Sequence, residues 1–467
     1  MNIIDNQNIS YNIEKVIGEG SQGKTYLLED NNFIVKLFNS SDNEIRLKSK
    51  INFLVQLDLD GEYFAMPKRT IVKPTLGYIS EFAKGMISLD KLMRPSEDCQ
   101  NVTEWLKQTG GIVKRYGVLV RLAWAMRILH SKGLVYCDLS PKNVFVSADP
   151  NKQKVMLIDL DNLSYRTGIA HNIFTPYYGA PEVVTSQAPN TVMSDCYSFA
   201  VIAYELLTMA HPLIGDAVHD GTPEDEESAL AGERPWVDND DDKSNSRQRG
   251  IPSYVFSSSK VFSLFKRNFE DGLNDPYKRP SMGEWFDALS EGFNELLKCG
   301  NTDCGMHYPV KKSMGCPFCD KKPEDVVHIQ IKRWEIDKIY NEQNNNFEER
   351  GTLCDIICED LLVNQFTPKP LLTTSLLLDT QDWWAYVANF RVQEYCTDGT
   401  IIMEINVSEN YELLVSTQSG RPLPSKENQD KIRGKKTIRC RGKMAQNKLM
   451  FHLFDLSKPQ RVIVIDF

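Results

Sequence analysis

From Tyr11 to Phe38 apolar and polar side chains alternate, and the alternation breaks at Gly18 to Gly23 and again at Asp30-Asn31-Asn32. A period of two sends successive side chains to opposite faces of a strand, while Gly, Asn and Asp supply the backbone angles of tight turns. This stretch therefore predicts strand, loop, strand, hairpin, strand. Farther along the period lengthens. Leu119, Leu122, Ala123, Met126 and Leu129 recur at three and four, the spacing of one helix face. Asp195 to Thr208, with Phe199, Val201, Ile202, Leu206 and Leu207, predicts a helix buried nearly all round. Another helix is expected over Met282 to Leu297. The acidic stretch before Phe262, with Asp238, Asp240, Asp241 and Asp242, reads as a structure-poor, solvated loop rather than a metal site. A β-rich front followed by a helical body makes the first part of the chain α+β.

The texture changes after Asp325. Ile329 to Trp334, Trp383 to Val392, Ile401 to Val407, Lys448 to Phe454 and Arg461 to Phe467 are β-branched and aromatic runs parted by turn residues, which predicts an all-β, sandwich-like domain. Trp383, Trp384, Tyr386 and Phe390 suit the core of such a domain better than a binding surface, and Cys354 and Cys358 read as buried thiols.

Length and charge narrow the picture. At 467 residues the chain exceeds what one core supports, so about three units are expected. A net charge of −9 gives no general attraction to nucleic acid or anionic lipid. Met1 to Ser10 has neither a basic nor an apolar leader region, and no apolar run is long enough to span a bilayer, so the expected location is cytoplasmic, away from membranes. Four of the eleven cysteines crowd between Cys299 and Cys319, as Cys299-x₄-Cys304 and Cys316-x₂-Cys319. Two such knuckles predict a closed, tetrahedral, structural Zn²⁺ site over residues 298–322, in preference to disulfides or a redox pair. His307 could substitute for a cysteine but fits a supporting or surface role better.

Gly18-Glu19-Gly20-Ser21-Gln22-Gly23-Lys24-Thr25 satisfies both GxGxxG and GxxxxGK[ST]. The second pattern needs a helix after the loop, and here Phe33 to Phe38 continues in strand periodicity, which disfavours a P-loop NTPase. An ordinary glycine-rich hairpin remains open on this motif alone. Lys36, thirteen positions past Gly23 on the neighbouring strand, is placed to reach the α- and β-phosphates of a nucleotide held under Gly18, Gly20 and Gly23. Glu44 could hold Lys36 from the following helix, or serve in the capping box Ser41-x-x-Glu44.

Leu134-Val135-Tyr136-Cys137-Asp138-Leu139-Ser140-Pro141-Lys142-Asn143-Val144 resembles the catalytic loop of eukaryotic-type protein kinases, and Leu157-Ile158-Asp159-Leu160-Asp161 resembles their metal-binding segment. Phe174 to Glu182 is similar to the end of an activation segment, with Arg279 where the family keeps a partner for that glutamate. Asp195 stands where kinases brace the catalytic loop, and Glu81-Phe82-Ala83 resembles the hinge whose backbone holds adenine. The resemblance runs from about Ile13 to Leu297. It implies a bilobal protein-kinase fold over 1–297 (N-lobe 1–84, C-lobe 85–297), followed by the zinc ribbon at 298–322 and a β-rich interaction or regulatory domain at 325–467. It further implies Mg-ATP as the phosphate donor, Asp138 as the base for the acceptor hydroxyl, and Asn143 and Asp159 as ligands of two Mg²⁺ ions. Small-molecule kinases of the aminoglycoside and choline type share the Asp…Asn…Asp core without the Ala180-Pro181-Glu182 segment. Thr175-Pro176 resembles the substrate loop of Ser/Thr kinases, so protein serine or threonine is the implied acceptor.

Departures shape the expectations. Cys137 replaces the arginine that clamps a phosphorylated activation segment, which implies activity without such phosphorylation. Lys142 compensates for Ser140, which stands where a phosphate-binding lysine is usual. Asp161 takes a glycine position, limiting flipping of the segment, and Ile34 narrows the nucleotide slot. The whole architecture resembles bacterial kinases associated with a PP2C-type phosphatase and a von Willebrand A domain protein. The rival from another class is a pseudokinase scaffold, disfavoured because Lys36, Asp138, Asn143 and Asp159 are all present.

Overall fold

In the computed structural model the strand-rich front closes into a barrel of six antiparallel strands, β1 (Asn2–Asp5), β2 (Ser10–Gly20), β3 (Gly23–Leu28), β4 (Phe33–Phe38), β5 (Pro67–Lys73) and β6 (Gly77–Glu81), in the order β1-β2-β3-β4-β6-β5. Ile3, Leu28, Val35, Leu37, Ile71 and Ile79 meet in its core. The hairpin between β3 and β4 turns at Asn31 (φ 55°), where the Asp30 carboxylate accepts the N–H groups of Asn32 (2.9 Å) and Phe33 (3.3 Å). That is the turn Asp30-Asn31-Asn32 predicts, because Asn tolerates the left-handed region and Asp closes the loop on its own backbone. The structure describes residues 2–20, 23–39, 44–57, 59–165, 172–310, 315–323, 326–367, 388–407, 413–417, 429–441, 448–455 and 458–466.

Helices Gly111–Ser131 and Val192–Thr208 form the buried centre of the following body. The second begins at Val192, three residues before the expected Asp195. Thr191 caps it, accepting from the N–H of Met193 and Ser194, while Ser194 returns a contact to the Thr191 N–H. This reciprocal box, made by the polar side chains of Thr191 and Ser194, satisfies the orphan donors of the first turn and so sets the start at Val192. The acidic stretch also holds more structure than expected. It contains helices Asp216–His219 and Pro223–Leu230, the latter opened by a Thr222–Asp225 capping box. Asp238 accepts from the Tyr204 hydroxyl (2.6 Å) and Asp240 pairs with Lys266 (3.0 Å), so these carboxylates serve local contacts.

By contacts the chain forms two units, one of Met1–Ser253 with Ser259–Asp287, the other of Tyr254–Ser258 with Ala288–Phe467. The expected helix Met282–Leu297 ends at Asn294, because Leu296–Lys298 is a strand paired to His307–Pro309. Apolar Leu296 and Leu297 fit either element, and pairing across the cysteine cluster decides for the strand. The rest of the second unit is β-structure. A six-stranded antiparallel sheet runs in the order Asn346–Val363, Val327–Asn341, Lys458–Asp466, Lys448–Asp455, Leu413–Thr417, Gln429–Ile432, and Ala388–Tyr395, Thr400–Val407 and Lys435–Arg441 form a second sheet. Residues Trp383, Trp384 and Tyr386, and the side chains of Cys354, Cys358 and Phe390, lie outside the described residues. Among the described residues no helix is long and apolar enough to cross a membrane.

Candidate active site

Gly20 of β2 pairs with Gly23 of β3 across the loop, and on its other side β3 lies so close to β4 that a Cβ on Gly23 would fall 2.1 Å from the Leu37 carbonyl oxygen. Only glycine fits there. The element after the loop is strand β3, which removes the P-loop reading: a Walker loop needs helix N–H groups at that point. Lys36 sits mid-strand on β4, opposite Thr25 of β3 and Tyr78 of β6. Its ammonium enters a cavity of about 600 Å³ lined by Gly18, Gly20, Gly23, Ile34, Glu81, Phe82, Ala83, Asp138, Lys142 and Asp159. Most of the sequence-derived candidates thus share one cleft. Glu44 opens the helix Glu44–Gln56, but its side chain lies outside the described residues.

The catalytic loop is held from beneath. Asp195, 1% exposed, accepts the backbone N–H of Tyr136 (2.7 Å) and of Cys137 (3.0 Å), and His130 Nε2 lies 3.1 Å from the same carboxylate. Cys137 adopts φ 74°, unfavourable for a residue with a Cβ, and the Asp195 bond fixes it there. Burial, followed by the Asp195 charge, pushes the Cys137 thiol up to about 12, so this position carries a neutral group. Asn143 donates from Nδ2 to the Asp138 carbonyl (2.9 Å) and to its Oδ2 (3.3 Å). With its nitrogen engaged, the amide oxygen is the atom left for a hard cation, although Asn143 does not itself line the cavity.

Asp138 also accepts from Thr175 Oγ1 (2.7 Å). Burial raises its carboxyl above the ordinary range against the pull of the Thr175 and Asn143 hydrogen bonds. Sequence reasoning assigned Thr175 to substrate choice and missed this contact, because thirty-seven residues separate the partners.

Asp159, with φ 56°, follows the strand Val155–Leu157, which pairs with Val144–Ser147. The Tyr136 hydroxyl donates to the neighbouring Ile158 carbonyl. Lys36 Nζ forms ion pairs with both Asp159 and Asp161. Asp161, expected only to stiffen its segment, is therefore a site residue. Burial favours the neutral amine at Lys36, but the Asp161 and Asp159 charges outweigh it and hold the ammonium above its usual value.

Arg279, with no exposed side-chain surface, makes a two-pronged contact with Glu182, 2.7 Å on each arm, and donates to the carbonyls of Gly272 (2.7 Å) and Met193 (3.1 Å). This ties the end of the segment carrying Thr175 to the helical body.

The protein kinase domain model matches residues 11–288, more than half of the chain. The chain belongs to the protein kinase domain family. Its kinase domain is similar to serine/threonine-protein kinase ULK1 of Homo sapiens (34% identical over 111 residues, 22% of this chain and 10% of the relative). It is also similar to serine/threonine-protein kinase pkn2 of Myxococcus xanthus (32% over 106 residues, 21% and 13%) and to serine/threonine-protein kinase PknD of Chlamydia felis (23% over 243 residues, 43% and 24%). The kinase domain therefore matches at most 24% of the length of these relatives.

Outside the kinase domain, the sulfurs of Cys299, Cys304, Cys316 and Cys319 all lie within 4.8 Å of one another, and His307 is not of their number. Cys299 and Cys319 are 3.5 Å apart, Cys304 and Cys316 3.7 Å. A tetrahedral ion about 2.3 Å from each sulfur would set them about 3.8 Å apart, so the cluster fits zinc. A hydrogen bond from the Lys321 backbone draws the Cys319 thiol down to about 7, whereas burial raises Cys316. Burial, with Lys298 nearby, lowers the His307 imidazole to about 4, leaving it neutral.

Proposed function

We propose that this chain is a protein serine/threonine kinase that transfers the γ-phosphoryl group of Mg-ATP to a protein hydroxyl. The observation that carries this reading is the convergence of Lys36, Asp138 and Asp159 on one cleft beneath the glycine hairpin, with Thr175 hydrogen-bonded to Asp138. In that arrangement Lys36 holds the phosphates, Lys142 neutralises charge on the transferring group, and the backbone of Glu81 to Ala83 receives adenine. Asn143 and Asp159 would hold magnesium, which supplies charge neutralisation between the phosphates. The acceptor oxygen bonds to the γ-phosphorus as the bond to the bridging β–γ oxygen breaks; ADP leaves, and the hydroxyl proton passes to Asp138.

The test is incubation of the full chain with γ-labelled ATP, Mg²⁺ and a protein lysate, beside Asp159→Asn. Phosphoserine or phosphothreonine formed only by the unaltered chain supports the reading. Equal labelling by both forms would instead favour the pseudokinase scaffold.

Activity independent of activation-segment phosphorylation belongs to the same proposal, because neutral Cys137 offers no cation to a phosphate. Ser164→Ala and Tyr165→Ala should each keep initial rates within about twofold, the small effect usual away from a site. Thr167 lies outside the described residues. Thr175 is no neutral control, given its bond to Asp138. A rate that collapsed in either variant while folding persisted would refute the independence.

For the second unit we propose a structural zinc ribbon at 298–322 and a β-rich domain at 325–467 that recruits a substrate or partner, with a PP2C-type phosphatase and a von Willebrand A domain protein as the candidates. The ribbon's apolar cluster is small, with Tyr308, Val310 and Phe318 gathered about the four cysteines themselves, so the metal would supply much of its folding energy. Metal analysis should find about one zinc per chain, reduced to near zero in Cys316→Ser/Cys319→Ser, as expected when half of a tetrahedral ligand set is removed.

A further inference from the structure

Lys36 Nζ touches two carboxylates of unlike accessibility. Asp159 is 40% exposed and lines the cavity, whereas Asp161 is 1% exposed and does not. Both leave one short turn, Leu160–Asn162 and the residue before it, so the backbone aims two negative charges at one ammonium from opposite degrees of burial. Tyr78, facing Lys36 across the β4–β6 pairing, lies close enough for Asp161 to act on its phenol, which places Asp161 against the barrel wall. The second Asp161 oxygen, Oδ1, is buried without a hydrogen-bond partner. Lys36 is the ion-pair partner of this carboxylate, with the Tyr78 hydroxyl hydrogen-bonded to it and Lys50 adding a favourable charge, and Asp161 is the counter-charge that cannot turn out to solvent.

We infer that Asp161 is the positioning residue that holds the Lys36 ammonium toward the nucleotide phosphates, leaving Asp159 free to serve as a magnesium ligand. The inference rests on the ATP-using reading above. A carboxylate committed to a metal neutralises a neighbouring lysine poorly, and a buried ammonium without its partner is strongly disfavoured. Asp161, out of the cleft, keeps its hold whatever Asp159 does. Its place two residues beyond Asp159 makes the anchor part of the metal-binding segment itself.

The test is a double-mutant cycle on the full chain, reading calorimetric binding of Mg-ATP and of adenosine. Asp161→Asn should weaken Mg-ATP about tenfold and add nothing in a Lys36→Met background, since coupled residues are non-additive. Adenosine, which has no phosphate for Lys36 to reach, should bind both forms alike. Asp161→Glu should recover part of the loss, and Asp161→Ser provides the same cycle if the asparagine variant does not fold. Losses that multiply with Lys36→Met, or adenosine weakened equally, would overturn the inference, as would non-additivity with Glu44→Gln in place of Asp161. Non-additive ATP binding without phosphate transfer would support the anchor while overturning the kinase activity.

Discussion

Replacing Asp138 with asparagine is expected to cut phosphate transfer by about 10²–10⁴-fold, the range typical of a lost acid–base group, while ATP binding stays close to that of the unaltered chain. Asparagine keeps the shape of the side chain and an oxygen able to accept from Thr175 Oγ1, now 2.7 Å away, so the activation segment retains its contact. What disappears is the anionic oxygen that orients the acceptor hydroxyl and takes its proton. Steady-state kcat measured beside the Kd for Mg-ATP separates the two effects. The sign of the pH dependence follows from burial. Asp138 acts as a carboxylate, and burial raises its carboxyl above the ordinary range, so activity should fall as pH drops through that raised value, earlier than for an exposed aspartate. In Asp138→Asn the corresponding acid limb should be absent. A variant with unchanged kcat would remove Asp138 from the chemistry.

Much of this site was legible because its key residues sit in short sequence windows whose spacing the chemistry dictates. Asp138 and Asn143 share one loop, Asp159 follows on the next hairpin, and Gly23 occupies the point where β3 and β4 nearly touch. The Asp30-Asn31-Asn32 hairpin was legible for a similar reason, since the turn geometry is met by local side chains. What stayed hidden was set by partners distant in the chain. Asp161 looked like an altered glycine position, and only closure of the barrel shows Lys36 between it and Asp159. Thr175 looked like a specificity residue until folding brought it to Asp138. The Leu296–Lys298 strand reads locally as the tail of an amphipathic helix; its pairing with His307–Pro309 overrides that local preference. The three-residue error at Thr191 has the opposite cause: capping is local, but it is made by polar side chains that apolar periodicity ignores.

A large stability effect in the kinase domain is expected at Glu182→Ala. Removing that carboxylate strands the Arg279 guanidinium, which has no exposed side-chain surface and whose remaining acceptors are the carbonyls of Gly272 and Met193. Breaking a buried pair from one side typically costs about 3–5 kcal/mol, because the surviving charge stays desolvated and uncompensated. Glu182 keeps some contact with solvent, which puts this pair toward the lower end of that range. The double replacement Glu182→Met/Arg279→Met should cost less than the two single changes combined, since it removes the stranded charge as well. Denaturant titration followed by loss of ATP binding isolates the kinase domain from the rest of the chain. The same variants distinguish a structural tie from a catalytic one. Glu182 anchors the segment that brings Thr175 to Asp138, so its loss should lower kcat more than it weakens ATP, whereas equal losses in both would mean that the nucleotide cleft itself had come apart.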